Sequence, residues 1–321
     1  SNSYNINGET FLWSDPHTST TSILYNTKLN AHQLLFGVEY IYQSYSSVDI
    51  HYAEPNIYCD PENTLLDKES CVDAGYEWVI DEIRKESIFG EDATKYMSES
   101  SVFMLDNFKY YDIDFNLGAR ISHHSKYKLR VSPSISLMKV INNYNYRLNF
   151  SQSYRVPSLK EIYYSYEGHP GLPVYGNENL EPSISNYYSL SIESRKYINN
   201  SIEFYYNDVS NMILYDTIDQ DEDEHADAYQ YFNEKHVDLY GFNVSLMINP
   251  LEKITLNSIY VYTKAKSSHD EILDGISAHS INFKLKYNPF KNWDILFSSK
   301  FNSSKTVDTS MPDLNDNRNE I

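Results

Sequence analysis

The chain has 321 residues, and its 45 acidic against 26 basic side chains leave a formal charge of −19. A chain this acidic repels phosphates, which excludes nucleic acid as a partner. Tyrosine stands out, with 31 copies beside 14 phenylalanines and 3 tryptophans. That enrichment fits β-strands, and it fits membrane edges where a ring sits in lipid and its hydroxyl in water. A tyrosine-rich soluble β-protein would have the same composition.

In chain order, residues 1–18 read as irregular, and Ser1-Asn2-Ser3-Tyr4 lacks the charge and apolar core of a signal peptide. Strands are predicted over about 19–29 and 32–46, joined at Asn30-Ala31. A long polar insertion over 47–97 follows, in which Asp81-Glu82-Ile83-Arg84-Lys85-Glu86 predicts a short helix. It also holds the two cysteines, Cys59 and Cys71, whose spacing is not a zinc pattern. In an oxidising compartment they would close a loop worth roughly 3 kcal/mol, the alternative being two free thiols.

Further strands are predicted over about 98–107 and 110–122. In the second, Ile113, Phe115, Leu117 and Ala119 alternate with Asp114, Asn116, Gly118 and Arg120, a period of two. His123-His124-Ser125 reads as a solvated link into about 126–141, and Asn142-Asn143 turns into about 144–155. After a connection over 156–181, Tyr188, Leu190 and Ile192 alternate with Ser189, Ser191 and Glu193. Asn199-Asn200 is expected to turn the chain into about 201–215. An acidic loop runs from Asp219 through Glu224 to Asp227; it lacks the Gly and distal Glu of an EF-hand and reads as solvated. Strands over about 228–249, 253–266, 279–287 and 292–302 complete the pattern, with Asn249-Pro250 and Asn288-Pro289 as turns.

About twelve strands result. Short turns near 30, 108, 142, 199, 250 and 289 alternate with the other connections, most of them longer. That sorting marks an up-and-down outer-membrane barrel, with short turns on one side and long loops on the other. A Greek-key sandwich has no reason to sort its loops this way. No run of 18 apolar residues exists, but barrel strands need only about 9–11 alternating residues each.

The connection over 156–181 carries the most specific signal. It opens with Tyr154-Arg155-Val156-Pro157 and closes with Asn177-Glu178-Asn179-Leu180. These resemble the paired boxes of TonB-dependent outer-membrane receptors, Phe/Tyr-Arg-Ala-Pro and Asn-Pro-Asn/Asp-Leu, which flank a large extracellular loop. Val156 and Glu178 depart mildly from that pattern. The resemblance implies an all-β fold: part of an antiparallel up-and-down transmembrane β-barrel, roughly twelve of about twenty-two strands around a plug. Residues 1–321 then form one partial barrel domain, with the plug and final strands absent, and it cannot act alone because open edges are not viable in lipid.

The resemblance also implies a nutrient-uptake receptor in a Gram-negative outer membrane. Its partners would be the lipid, the TonB protein acting through the missing plug, and a transported iron complex. No nucleophile elbow or glycine-rich phosphate loop is present, so no enzyme activity, intrinsic cofactor or metal set is assigned. Arg155 is expected on the inward phase, free to pair with a plug or loop carboxylate. Pro157 ends the ladder, and Gly176-Asn177 is expected to supply a positive-φ turn.

His169 lies between the boxes, and haem-uptake members of the resembled family carry a haem-ligating histidine in this segment. A neutral imidazole suits haem iron, and Tyr163, Tyr166 and Tyr175 are candidates to pack on a porphyrin. Haem is therefore the expected ligand, with a ferric siderophore or cobalamin next. An exposed loop histidine, or a non-transporting surface adhesin, are the alternative readings.

Overall fold

The computed structural model describes residues 3–6, 9–12, 14–47, 51–53, 56–60, 77–81, 85–87, 94–166, 173–194, 199–218, 228–267 and 276–305. Twelve long strands form one antiparallel meander: β1 (Ser14–Leu29), β2 (His32–Ser47), β3 (Thr94–Tyr110), β4 (Ile113–His124), β5 (Lys128–Ile141), β6 (Tyr144–Arg155), β7 (Ser183–Ser194), β8 (Asn199–Ile218), β9 (Ala228–Leu251), β10 (Ile254–Ser267), β11 (His279–Tyr287) and β12 (Ile295–Asn302). Each pairs with its neighbours in chain order, so the sheet runs from β1 to β12 without a crossover. A one-turn helix, α1 (Leu159–Tyr163), lies between β6 and β7.

Turn chemistry explains the short connections. Asn30, Asn142, Tyr111 and Asp112 take positive φ angles of 54°, 55°, 44° and 61°. Asparagine and aspartate tolerate this left-handed region better than most side chains. Some predicted boundaries move. The second turn falls at Tyr111-Asp112 rather than near 108. Asn199 and Asn200 lie inside β8, Asn200 opposite Ser194, so they are not the turn, and residues 195–198 lie outside the described residues. β1 begins at Ser14, with Pro16 opposite Tyr45, on a strand at the margin of the described sheet, a position that tolerates proline. The helix predicted over 81–86 is not formed: Asp81 ends strand Glu77–Asp81, paired with Asn56–Asp60, while Lys85–Ser87 pairs with His51–Ala53. Cys71 lies outside the described residues, and with it the expected disulfide to Cys59.

Register separates the two faces. Outward positions on β6, β7, β8 and β9 form rows: Leu148–Leu190–Phe204–Phe242, then Phe150–Tyr188–Tyr206–Tyr240, then Gln152–Asn186–Asp208–Asp238. The first row is apolar, the second aromatic and the third polar. Leu148 is 54% exposed, Leu190 45% and Ile281 42%, so these side chains do not point into a closed protein core. The inward positions are polar: Ser136 Oγ donates to Asn149 Oδ1 at 2.6 Å, Asn149 Nδ2 to Ser189 Oγ at 3.0 Å and Tyr187 Oη to Glu203 Oε1 at 3.1 Å. A wall that is apolar outside, polar inside and rimmed by aromatics is the inverse of a soluble domain and the pattern of a membrane barrel. The described apolar cluster sits at the mouth, where Tyr45, Met97 and Leu159 are buried together against Val156 and Tyr163.

Candidate functional site: the connection between β6 and β7

The connection is built from its own hydrogen bonds. Ser158 caps α1: its hydroxyl accepts from the Glu161 N–H at 3.2 Å, and Glu161 Oε2 accepts from the Ser158 N–H at 2.7 Å. This reciprocal capping box satisfies two N–H groups that a helix start leaves open. Arg155 pairs with the other Glu161 oxygen, so it finds a loop carboxylate, one of the two partners expected. Pro157 is fully buried and turns the chain, and Ile162 and Leu180, each 2% exposed, anchor the two halves.

The second box then crosses the first. The Asn177 N–H donates to the Glu161 carbonyl at 2.9 Å, while Asn177 Oδ1 accepts from the Asn179 N–H at 2.9 Å. Asn177 Nδ2 reaches the Tyr231 carbonyl on β9 at 2.9 Å. Gly176 is not a positive-φ residue here, nor is Asn177, contrary to expectation. Glycine is required for close approach instead: a Cβ would lie 2.7 Å from the Ile162 carbonyl carbon and oxygen.

Two residues missing from the sequence reading clamp the far side. Asn233 on β9 accepts from the Glu181 N–H at 2.8 Å and donates to the carbonyls of Glu181 and Asn211, both at 2.9 Å. Asn211 takes φ 54° and donates to Glu181 Oε2 at 3.1 Å. Val174–Tyr175 runs parallel to Tyr229 and Gln230, fastening the connection along β9. No local pattern marks Asn211 or Asn233; the Ser158-x-x-Glu161 spacing is a local capping signal that the sequence expectations above did not use.

The expected site residues divide. Tyr163 lies at the mouth, with the Lys95 and Lys126 ammonium groups 5.0 and 5.5 Å from its ring centre. Tyr175 pairs with Ser165, and Tyr166 with Val174 through its backbone. His169 and the acidic run from Asp219 to Asp227 lie outside the described residues. His123 and His124 are not a link but end β4 on alternate faces: His123 is exposed as expected, while His124 is buried and its Nδ1 accepts from the Lys126 N–H at 3.1 Å. Pointing to opposite faces, they cannot chelate one ion together.

Lys126 donates to the Glu178 carbonyl at 3.0 Å. Burial pushes its ammonium below the ordinary lysine value, and Glu178 pulls it back. Burial, reinforced by Tyr163 and Glu161, pushes the neighbouring Tyr127 phenol up to about 12. Beside this rim a cleft of roughly 450 Å³ opens on the inner wall, lined by Glu99, Arg120, His124, Tyr154 and Arg155 among others. Arg120 pairs there with Glu39 and lies 3.8 Å from Glu99, and the buried Tyr154 hydroxyl lies beside Ser122 and Glu99.

A wall that is polar inside and apolar outside, with a clamped connection at its mouth, defines the strand pattern of an outer-membrane barrel. Residues 1–319 match the family described as "TonB dependent receptor-like, beta-barrel", so the chain belongs to the TonB-dependent receptors, a family of transport receptors rather than enzymes, and it lies in the Gram-negative outer membrane. No curated protein matches it. Its fold is similar to the siderophore receptor PirA from Pseudomonas aeruginosa (15% identity, 92% of this chain and 48% of that one, TM-score 0.63). It is also similar to a mutant of the ferric enterobactin receptor PfeA from the same organism (15% identity, 94% and 43%, TM-score 0.66). A further likeness is to the copper transporter OprC (12% identity, 85% and 41%, TM-score 0.58). The chain thus spans less than half the length of these solved receptors.

Proposed function

We propose that this chain is the barrel portion of a receptor that imports an anionic ferric siderophore, with energy relayed by TonB through a plug outside residues 1–321. The observation that carries this reading is the rim formed by Lys95, Tyr163 and Lys126. In a chain of charge −19, two cations held at one aromatic ring make a local site for an anion. Lys126 is partly desolvated, so an incoming negative oxygen gains more there than at a fully hydrated amine. Flat, charged catecholate rings suit this combination of ammonium and aromatic surface. The likeness to PirA, described as a siderophore receptor, and to PfeA, described as a ferric enterobactin receptor, supports the same class. Arg155 serves the architecture of the mouth through Glu161. Tyr166 and Tyr175 serve the same architecture through the short backbone pairing of Ser165–Tyr166 with Val174–Tyr175.

The haem reading rests on His169 and forms the competing arm of the test. The full-length receptor is titrated with a ferric catecholate siderophore and with haemin, alongside variants Lys95→Ala/Lys126→Ala and His169→Ala. We expect the double lysine variant to bind the siderophore about 10- to 100-fold more weakly, the size of one lost charge-assisted contact. Haemin bound with a Soret shift that His169→Ala abolishes, together with no siderophore binding, would overturn the reading in favour of haem.

A further inference from the structure

On the outward face of β8 and β9, Asp208 lies directly opposite Asp238, and His236 occupies the next outward position on β9, opposite Ser210. Donor atoms of the three side chains all lie within 4.8 Å of one another. His236 Nδ1 is 3.2 Å from Asp208 Oδ1, and its Nε2 is 3.4 Å from Asp238 Oδ1. Two carboxylates in one cross-strand pair repel, and a cation held between them relieves that repulsion. Asp208 Oδ1 is buried, and its contact with Nδ1 falls outside hydrogen-bond geometry. Asp238 is better served, because the Tyr206 hydroxyl donates to it at 2.5 Å. The other groups facing this spot are Asn186 on β7, Tyr240 on β9 and Lys266 on β10, across from Asp238.

We propose that Asp208, His236 and Asp238 form a divalent-cation site on the outer wall of the barrel. Two carboxylates and one imidazole, with no thiolate, favour a divalent ion such as zinc or manganese over a soft monovalent one. An ion bonded at about 2.1 Å to each ligand holds the ligand atoms about 3.4 Å apart. The ligand atoms already lie within 4.8 Å of one another.

The position fits this role. Asp208 is nine residues above the start of β8, and Asp238 is thirteen above the end of β9. At about 3.4 Å per residue and a strand tilt of about 40°, that places the pair roughly 23 to 34 Å up the barrel. The apolar band of such barrels is about 25 Å tall, so the triad sits at or just above its upper edge. The aromatic pair Tyr206–Tyr240 lies one row below and Phe204–Phe242 two rows below. The ion's open positions therefore face the headgroup layer, where phosphate oxygens are at hand. The site is on the opposite face of the sheet from the lumen and is independent of the cargo proposed above.

The test uses untagged full-length receptor in detergent, stripped with a chelator. It is titrated with Zn²⁺ by calorimetry and with Co²⁺ by visible absorption, wild type beside His236→Ala and Asp208→Asn. We expect one Zn²⁺ equivalent and a Co²⁺ band in wild type, both lost in each variant, while siderophore binding stays unchanged. Equal zinc stoichiometry in all three proteins would overturn the proposal. So would a wild type that binds neither ion.

Discussion

Across the wall of β6 to β9, each side chain meets neighbours from strands paired in register, and apolar rings stack on its outside. The connection between β6 and β7 is held differently. Its residues bond one another and reach β2, β3, β8 and β9, far away in sequence. The wall needs only alternation plus lipid; the connection needs particular atoms at particular distances. Phe150 and Tyr188 pack with ring centres 5.1 Å apart, an arrangement many aromatic or aliphatic pairs would meet. Gly176 tolerates no side chain at all.

The sharpest way to break the comparison is on the wall. Leu190 faces outward and Ser191 faces the lumen, one residue apart on β7. Leu190→Arg places a charge in lipid about midway up the strand and is expected to cost about 2–4 kcal/mol. Ser191→Arg, near Glu203, is expected to cost far less. Denaturant unfolding of the two variants in lipid vesicles measures the difference. Equal losses would mean that the two faces are not distinguished by solvent.

Legibility followed the same division. The strands were readable because a period of two is written locally, and Ile113 through Arg120 display it without help from the rest of the chain. The boxes were readable as motifs, and so was the ending of the ladder at Pro157. Their mechanics were not. Asn177 looked like a turn residue, yet its side chain caps Asn179 and ties to Tyr231, 54 positions away. Asn233 carries no local signature because its three bonds go to other strands and to the loop. The helix expected over 81–86 rested on charge pattern alone, and strand pairing overrode that weak propensity. The triad of Asp208, His236 and Asp238 was hidden for the same reason, since only register sets β8 against β9.

A smaller effect is expected from the clamp. Asn233→Ala removes three hydrogen bonds and leaves the Glu181 and Asn211 backbone groups without them. The cost is about 1–3 kcal/mol if the groups stay buried, and less if the loop opens to water. Hydrogen exchange should quicken at 176–182 while β6 and β7 stay protected. Uniform quickening across the wall would show that the connection and the barrel are one cooperative unit.

The smallest expected effect concerns Tyr127, which faces the connection from the link between β4 and β5. Burial raises its phenol to about 12, with Tyr163 and Glu161 adding to the shift. In the unfolded chain the same group titrates near 10. The folded state therefore holds this proton more tightly, so its stabilising contribution is complete below about pH 10 and is lost as pH rises from about 10 to about 12. Lys126 beside it has a lowered value and acts with the opposite sign, so the two must be separated. Comparison with Tyr127→Phe does this, because Lys126 is common to both proteins. The difference in ultraviolet phenolate absorption during an alkaline titration reports one tyrosine, and its midpoint is expected near 12. A midpoint near 10 would show that the connection leaves Tyr127 open to water, and that the mouth is held less tightly than the wall.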